Sequence, residues 1–281
     1  MQNKELSALI RLLDDTDSMV YKAVRKKLLN ADEKIIPDLG VALSLSKDNL
    51  FVERAVSIIN ELRFSKLDSE LSNWIENDNN ELLYGSYLIA KYKYPDLVFE
   101  EIEDKLIKIV NDVRAEQNFF SFTGLQQIRK INHLLFSIQR FTGDFTNIIN
   151  PENSYINKVL ERKKSNDITI AIIYLFIANK LNLPVYGIDF PGNFLLVFLN
   201  EKTNDPMFYI NPINKGAIVT KKDIEAFLKN HKIKSGNKSL LPCSNIFILK
   251  RLLKFLMHSY LKKNDVNNLE DIKHLLMLFK N

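Results

Sequence analysis

Thiol chemistry in this chain has a single possible nucleophile. Cys243, within Leu240-Leu241-Pro242-Cys243-Ser244-Asn245, stands just before an apolar stretch that reads as a helix from Ile246 to Leu261. A helix N-terminus lowers a thiol's pKa, but a cysteine hydrolase also needs an imidazole to take the proton and a carboxylate or amide to orient that imidazole. The histidines are His133, His231, His258 and His274, all far apart, so His231 or His258 would have to approach Cys243 through the fold. A lone cysteine packed as a small apolar side chain is the commoner arrangement. One cysteine forms no intrachain disulfide and cannot build a thiolate zinc site, and no histidine pair has a metal-ligand spacing. No metal and no cofactor are expected.

The chain has 281 residues, 46% of them hydrophobic, enough for two modest domains or one elongated helical body with an α/β insert. Its longest apolar runs, Ile170 to Ala178 and Phe194 to Leu199, fall short of the roughly 18 to 20 residues of a membrane span. The N-terminal MQNKELSALIRLLDD carries acids and no small-residue cleavage site, so a cytoplasmic protein is expected. The net charge of +5 comes largely from lysines scattered along helices and from Lys221 to Lys234, without a basic stripe interleaved with aromatics. Solvated helix faces account for it better than a nucleic-acid surface, which leaves a weak nucleic-acid or anionic-surface binder as a distant alternative.

Short amphipathic helices in pairs fill the first 110 or so residues. Leu6, Leu9, Ile10 and Leu13 share one face; Val20, Val24 and Leu28 share the next, with N-cap residues Thr16-Asp17-Ser18 between them. The unit resembles a HEAT-type repeat, whose helix pair buries its apolar face only when the next pair stacks on it. Lys66 to Ile75, Glu81 to Tyr92 and Phe99 to Val113 are helical by periodicity without a fixed repeat. Pro95 ends one helix, and the loop bearing Gly143, Asp144, Asn150 and Pro151 is the expected turn into a second domain. There the apolar helix Ile168 to Leu181 passes through Asn182-Leu183-Pro184 into strands near Val185–Asp189, Phe194–Leu199 and Met207–Asn211, followed by a helix from Lys222. Helices Ile246 to Leu261 and Leu269 to Phe279 close the chain as a hairpin.

The phrases NSYINKVLERKK, LNLPVYGIDFPGNF and FYINPINKG, in that order around the long helix, resemble the SirB-type branch of the transglutaminase-like superfamily, a bacterial domain with a helical N-terminal region. The resemblance covers about Phe141 to Phe227. It implies an α+β, predominantly helical fold: a HEAT-like domain at 1–116, a papain/transglutaminase-like core with a small antiparallel sheet at 117–235, and a tetratricopeptide-like helix pair at 236–281. It places the family's histidine on Asn193, its aspartate on Asn211 and its cysteine on Asp167, with Thr169 as the neighbouring candidate. Gly187, Gly192 and Gly216 are expected at turns.

Asparagine at 193 neither accepts a thiol proton nor returns one, and Asn211 is left with no imidazole to orient. Asn166 or Asp167 also stands where a helix N-cap belongs. The expected protein is therefore a non-catalytic relative that binds a protein or peptide, with Asp167, Thr169, Asn193 and Asn211 as the candidate pocket. The alternative is a cysteine-dependent amidase, protease-like hydrolase or acyltransferase with an unfamiliar residue set.

Overall fold

The structure, a computed structural model, describes residues 3–77, 80–231 and 240–279. The chain forms two compact units, Met1–Asn73 and Trp74–Asn281.

The first unit is helical, with α1 (Asn3–Arg11), α2 (Ser18–Leu29), α3 (Ile36–Leu45) and the start of α4 (Asn49–Glu76). Asp17 caps α2, its carboxylate accepting the N–H of Met19 at 2.7 Å. Leu13, Leu28, Leu39 and Ile58 are completely buried at the centre of its core. Arg54 donates to the carbonyls of Leu13 and Asp15, so α4 closes the turn between α1 and α2. The stretch from Lys66 to Ile75 continues α4, because no proline or glycine interrupts residues 49–76.

The second unit is built around α9 (Asp167–Lys180), in which every residue from Ile168 to Ala178 except Leu175 is buried. A helix that is apolar all round must be covered all round. On one side lies an antiparallel sheet in the order β3 (Val185–Phe190), β4 (Asn193–Leu199), β5 (Pro206–Asn211), β6 (Ala217–Val219). Elsewhere α9 meets α5 (Leu82–Lys93), α6 (Phe99–Arg114), α8 (Ile156–Arg162) and α11 (Asn245–Lys262). The second sheet face is covered by α10 (Lys221–Asn230), whose Ile224 and Leu228 pack on Ile188, Leu195, Val197 and Tyr209.

Helix α7 (Gly124–Asn132) precedes a two-residue parallel pair, β1 (Thr142–Gly143) with β2 (Lys164–Ser165). The C-terminal helix pair is α11 with α12 (Val266–Met277). Tyr92 of α5 donates to Asn268 and lies 2.9 Å from Asp271 on α12, which joins residues expected in separate domains. The expected boundary at 116/117 and the loop 143–151 both lie inside the second unit, because α5 and α6 supply part of the cover that α9 requires. The expected boundary at 235/236 lies outside the described residues.

Phe190 pairs with Asn193, so Pro191 and Gly192 (φ +83°) form the two-residue hairpin loop. They occupy the positions that a type II turn gives to proline and to a positive-φ residue. Gly187 is not at a turn. It lies within β3, where an added Cβ would stand 2.7 Å from the Phe194 ring. The outer edge of β3 is covered by the approach to α11: Pro242 bridges Ile188, and the Cys243 N–H donates to the Gly187 carbonyl at 2.8 Å.

Gly216 (φ +71°) closes the turn after β5, and its carbonyl accepts from Asn132 at 2.7 Å, while Asn132 accepts from the buried Tyr174 hydroxyl at 2.9 Å. A Cβ on Gly216 would come within 2.0 Å of the Asn132 oxygen. Gly216→Ala is expected to cost about 2 to 3 kcal/mol, lowering the thermal midpoint by roughly 5 to 10 °C. A calorimetric midpoint within a degree of wild type would refute this account of the turn.

Candidate functional site

The N-terminal end of α9 reaches solvent, and local backbone demands determine what it presents. Asn166 is the N-cap (φ −86°, ψ 177°): its side-chain oxygen accepts from Ile168 at 3.0 Å and Thr169 at 2.8 Å, and its amide nitrogen donates to Ser154 at 2.8 Å. The sequence left the cap open between Asn166 and Asp167; the geometry gives it to Asn166 and frees Asp167 for another task.

Asp167, the first residue of the helix, accepts the Phe194 N–H through Oδ2 at 2.8 Å. It thereby ties α9 to the strand that leaves the Pro191-Gly192 turn. Nη2 of Arg251 on α11 lies 3.9 Å from the same oxygen, and its Nη1 binds Oδ1 of Asp189 on β3. The guanidinium also lies 5.5 Å from the centre of the Phe194 ring. Burial draws the Arg251 pKa down and Asp167 opposes that shift.

Beside this cluster opens a cleft of about 490 Å³. Asp167, Asn193 and Arg251 line it together with Ile168, Ile213 and Phe255. Its other wall is the loop after β1, which exposes Phe145 and Ile148. That loop is held from beneath by the buried Asp144, which accepts from Thr146 at 3.0 Å and from the Asn147 N–H at 3.3 Å, with Arg162 3.4 Å away. Asn153 donates to the Asn147 carbonyl at 3.0 Å. Burial pushes the Asp144 carboxyl up, but the hydrogen bonds of Thr146, Asn153 and Asn147 and the charge of Lys164 outweigh it, and its pKa lies below the ordinary 3.8.

Of the residues singled out from the sequence, Asp167 and Asn193 thus share one cleft. Asn211 and Thr169 are not among its lining residues. Asn211 caps the turn Pro212–Asn214, its side-chain oxygen accepting from the Asn214 N–H at 3.4 Å. Thr169 is completely buried and its hydroxyl has no partner among the described residues. Cys243 lines a separate cavity of about 480 Å³ with Tyr186, Gly187 and Asn245, and no histidine is in that lining. Burial pushes its thiol up to about 11. His231 stacks on Phe227 at 4.1 Å and its Nδ1 lies 2.9 Å from the Phe227 carbonyl oxygen. Among the described residues no cluster of three His, Cys, Asp or Glu side chains is placed to hold a metal, and no helix is long and apolar enough to cross a membrane.

Sequence reasoning missed Arg251 altogether. The available signal was Asp189, an acid within the otherwise apolar VYGIDF strand, in register with the buried Phe194. A partly buried carboxylate calls for a cation, yet nothing in the sequence says that it comes from a helix some sixty residues later.

The family model of the transglutaminase-like superfamily matches residues 100–254, more than half of the chain, and the chain belongs to that superfamily. It is similar to a UPF0162 protein of Vibrio cholerae, 33% identical over 66% of this chain and 68% of that protein. A UPF0162 protein of Xylella fastidiosa is 26% identical over 68% of each. Protein SirB1 of Salmonella typhimurium is 23% identical over 73% of this chain and 76% of its own length. These relatives fit the SirB-type branch. No solved structure matches.

Asp167→Ala strands the Phe194 N–H and leaves Arg251 to Asp189 alone, whereas Asp167→Asn keeps an acceptor oxygen in place. We expect about 1 to 2 kcal/mol of destabilisation for the alanine variant and less than half of that for asparagine, read from urea unfolding. Equal losses in the two variants would show that the hydrogen bond to Phe194 is not what Asp167 supplies.

Proposed function

We propose that this member of the transglutaminase-like superfamily is a non-catalytic module that binds a protein or peptide in the cleft beside Asp167 and Asn193. The observation that carries the reading is the state of Asp167. Where the resemblance puts a cysteine nucleophile, a carboxylate is bonded to the Phe194 N–H and faces Arg251. Asn193, where the resemblance puts the histidine, does not titrate near neutral pH, so proton transfer has no carrier at that position. The cleft itself stays open, with apolar and hydrogen-bonding groups together on its walls, a combination suited to a peptide. The helical first unit offers further contact surface.

The reading is tested by panning a random peptide library on the immobilised protein. Selected peptides are expected to bind at least tenfold more weakly to the double variant Phe145→Ser, Ile148→Ser, whose altered residues are exposed and outside the core. Peptides that bind that variant as well as wild type would place recognition elsewhere.

The amidase alternative depends on Cys243, and its high pKa argues against it. At neutral pH such a thiol is ionised to roughly one part in ten thousand, against a few per cent for an ordinary cysteine. Iodoacetamide is expected to label Cys243 about a hundredfold more slowly than a cysteine peptide. Labelling as fast as the peptide, slowed by His258→Ala or His231→Ala, would overturn the non-catalytic reading.

A further inference from the structure

The cleft carries a charge pattern that narrows its ligand. Arg251 is matched by Asp189 and Asp167, and Asp144 is matched by Arg162 and more distantly by Lys164 at 4.0 Å. Lys254 lies one turn along α11 from Arg251 and lines the same cleft, and it has no acidic partner among the described residues. Lys254 is therefore the one charged side chain among the described lining residues without a partner of opposite sign, and the positive charge it presents is local to its end of the cleft.

Around it the lining is apolar. Phe145 and Ile148 are 65% and 59% exposed, and the Asp144 and Asn153 bonds hold their loop in place beneath them. Large apolar side chains fixed in solvent at the mouth of a cleft mark a contact surface more than a surface accident. On the floor, Asp167 Oδ1 and the side-chain amide of Asn193 have no partner among the described residues, and both can bond to peptide groups.

Resting on the peptide-binding reading above, we infer that the cleft takes an internal, extended peptide segment in which a large apolar side chain stands beside an acidic one. The apolar side chain packs on Phe145, Ile148, Ile213 and Phe255; the acid faces Lys254. A chain-terminal carboxylate is disfavoured because it is ordinarily captured by a nest of backbone N–H groups. Here those of Ile168 and Thr169 are taken by Asn166, and that of Phe194 by Asp167.

The test uses the full chain, isotope-labelled, titrated with four peptides while the amides of Phe145, Gly192 and Asn193 are followed by NMR. The probes are acetyl-Ala-Ala-Phe-Glu-Ala-Ala-amide, its Glu→Gln and Phe→Ala analogues, and acetyl-Ala-Ala-Phe with a free carboxylate. The Phe-Glu peptide is expected to bind about three- to tenfold more tightly than the Gln analogue, in keeping with one partly exposed ion pair. It should also exceed the Phe→Ala analogue by tenfold or more. In Lys254→Ala the Glu and Gln peptides should become equal while still moving the cleft amides. Lys254 is exposed, so this variant retains its core.

Equal affinity for the Glu and Gln peptides in wild type, with the cleft amides still shifting, would overturn the acid preference and leave the peptide-binding reading standing. Tighter binding of the free-carboxylate peptide would overturn the internal segment. Cleft amides unmoved by every probe, combined with library peptides insensitive to the Phe145, Ile148 double variant, would overturn both readings together.

Discussion

A helix without a polar face dictates the plan of the second unit. Along α9 the side chains of Ile170, Ile172, Ile173, Tyr174 and Ile177 are essentially inaccessible, and each large apolar group so buried is worth about 1.5 to 3 kcal/mol. No single neighbour can cover such a cylinder, so a sheet closes one side and four helices, three of them distant in sequence, close the rest. Apart from Leu175, only the ends of α9 remain for contact with solvent. A chemical group carried by this helix emerges at one of those ends, and the end that borders the cleft bears Asn166 and Asp167.

The ion cluster at that turn links two consecutive elements, α9 through Asp167 and β3 through Asp189, to the remote α11 through Arg251. Desolvating such groups offsets much of their mutual attraction, so the cluster is weak evidence of stability. Its clearer effect is geometric. With the Phe194 N–H also held by Asp167, the helix start, the turn of the first hairpin and the closing helix are fixed against one another. The scaffold of the superfamily is kept here by interactions that require no reaction, which is why membership in it identifies the fold better than the activity.

Much of this architecture was legible because it rests on local rules. The apolar runs of α9 and β4 and the Pro191-Gly192 turn each announce themselves within a few residues, as do the helix pair at the end and the cap at Asp17. The two-residue strands β1 and β2 are too short to carry a period, and β6 is scarcely longer. The packing of α5 and α6 on the core was hidden because amphipathic periodicity says which face is buried and not against what. At the site, Asp167 and Asn193 were reached through phrase order along the chain. Arg251 and Lys254 were not, because a lysine- and arginine-bearing helix face looks the same whether it borders a cleft or open water.

The cover over β3 has a consequence for recognition. Many peptide-binding domains take their ligand as an added strand, which needs a free sheet edge with unpaired N–H and carbonyl groups. On one side of this sheet that template is occupied by the chain's own Pro242 and Cys243; on the other the edge strand is only the three residues Ala217–Val219. Neither border offers the long backbone ladder from which sequence-tolerant augmentation draws its affinity. Any partner of the second unit must instead be read through side chains, which favours selectivity for particular residues over indiscriminate capture of extended chains, and the covered edge protects the sheet from pairing edge to edge with its own kind.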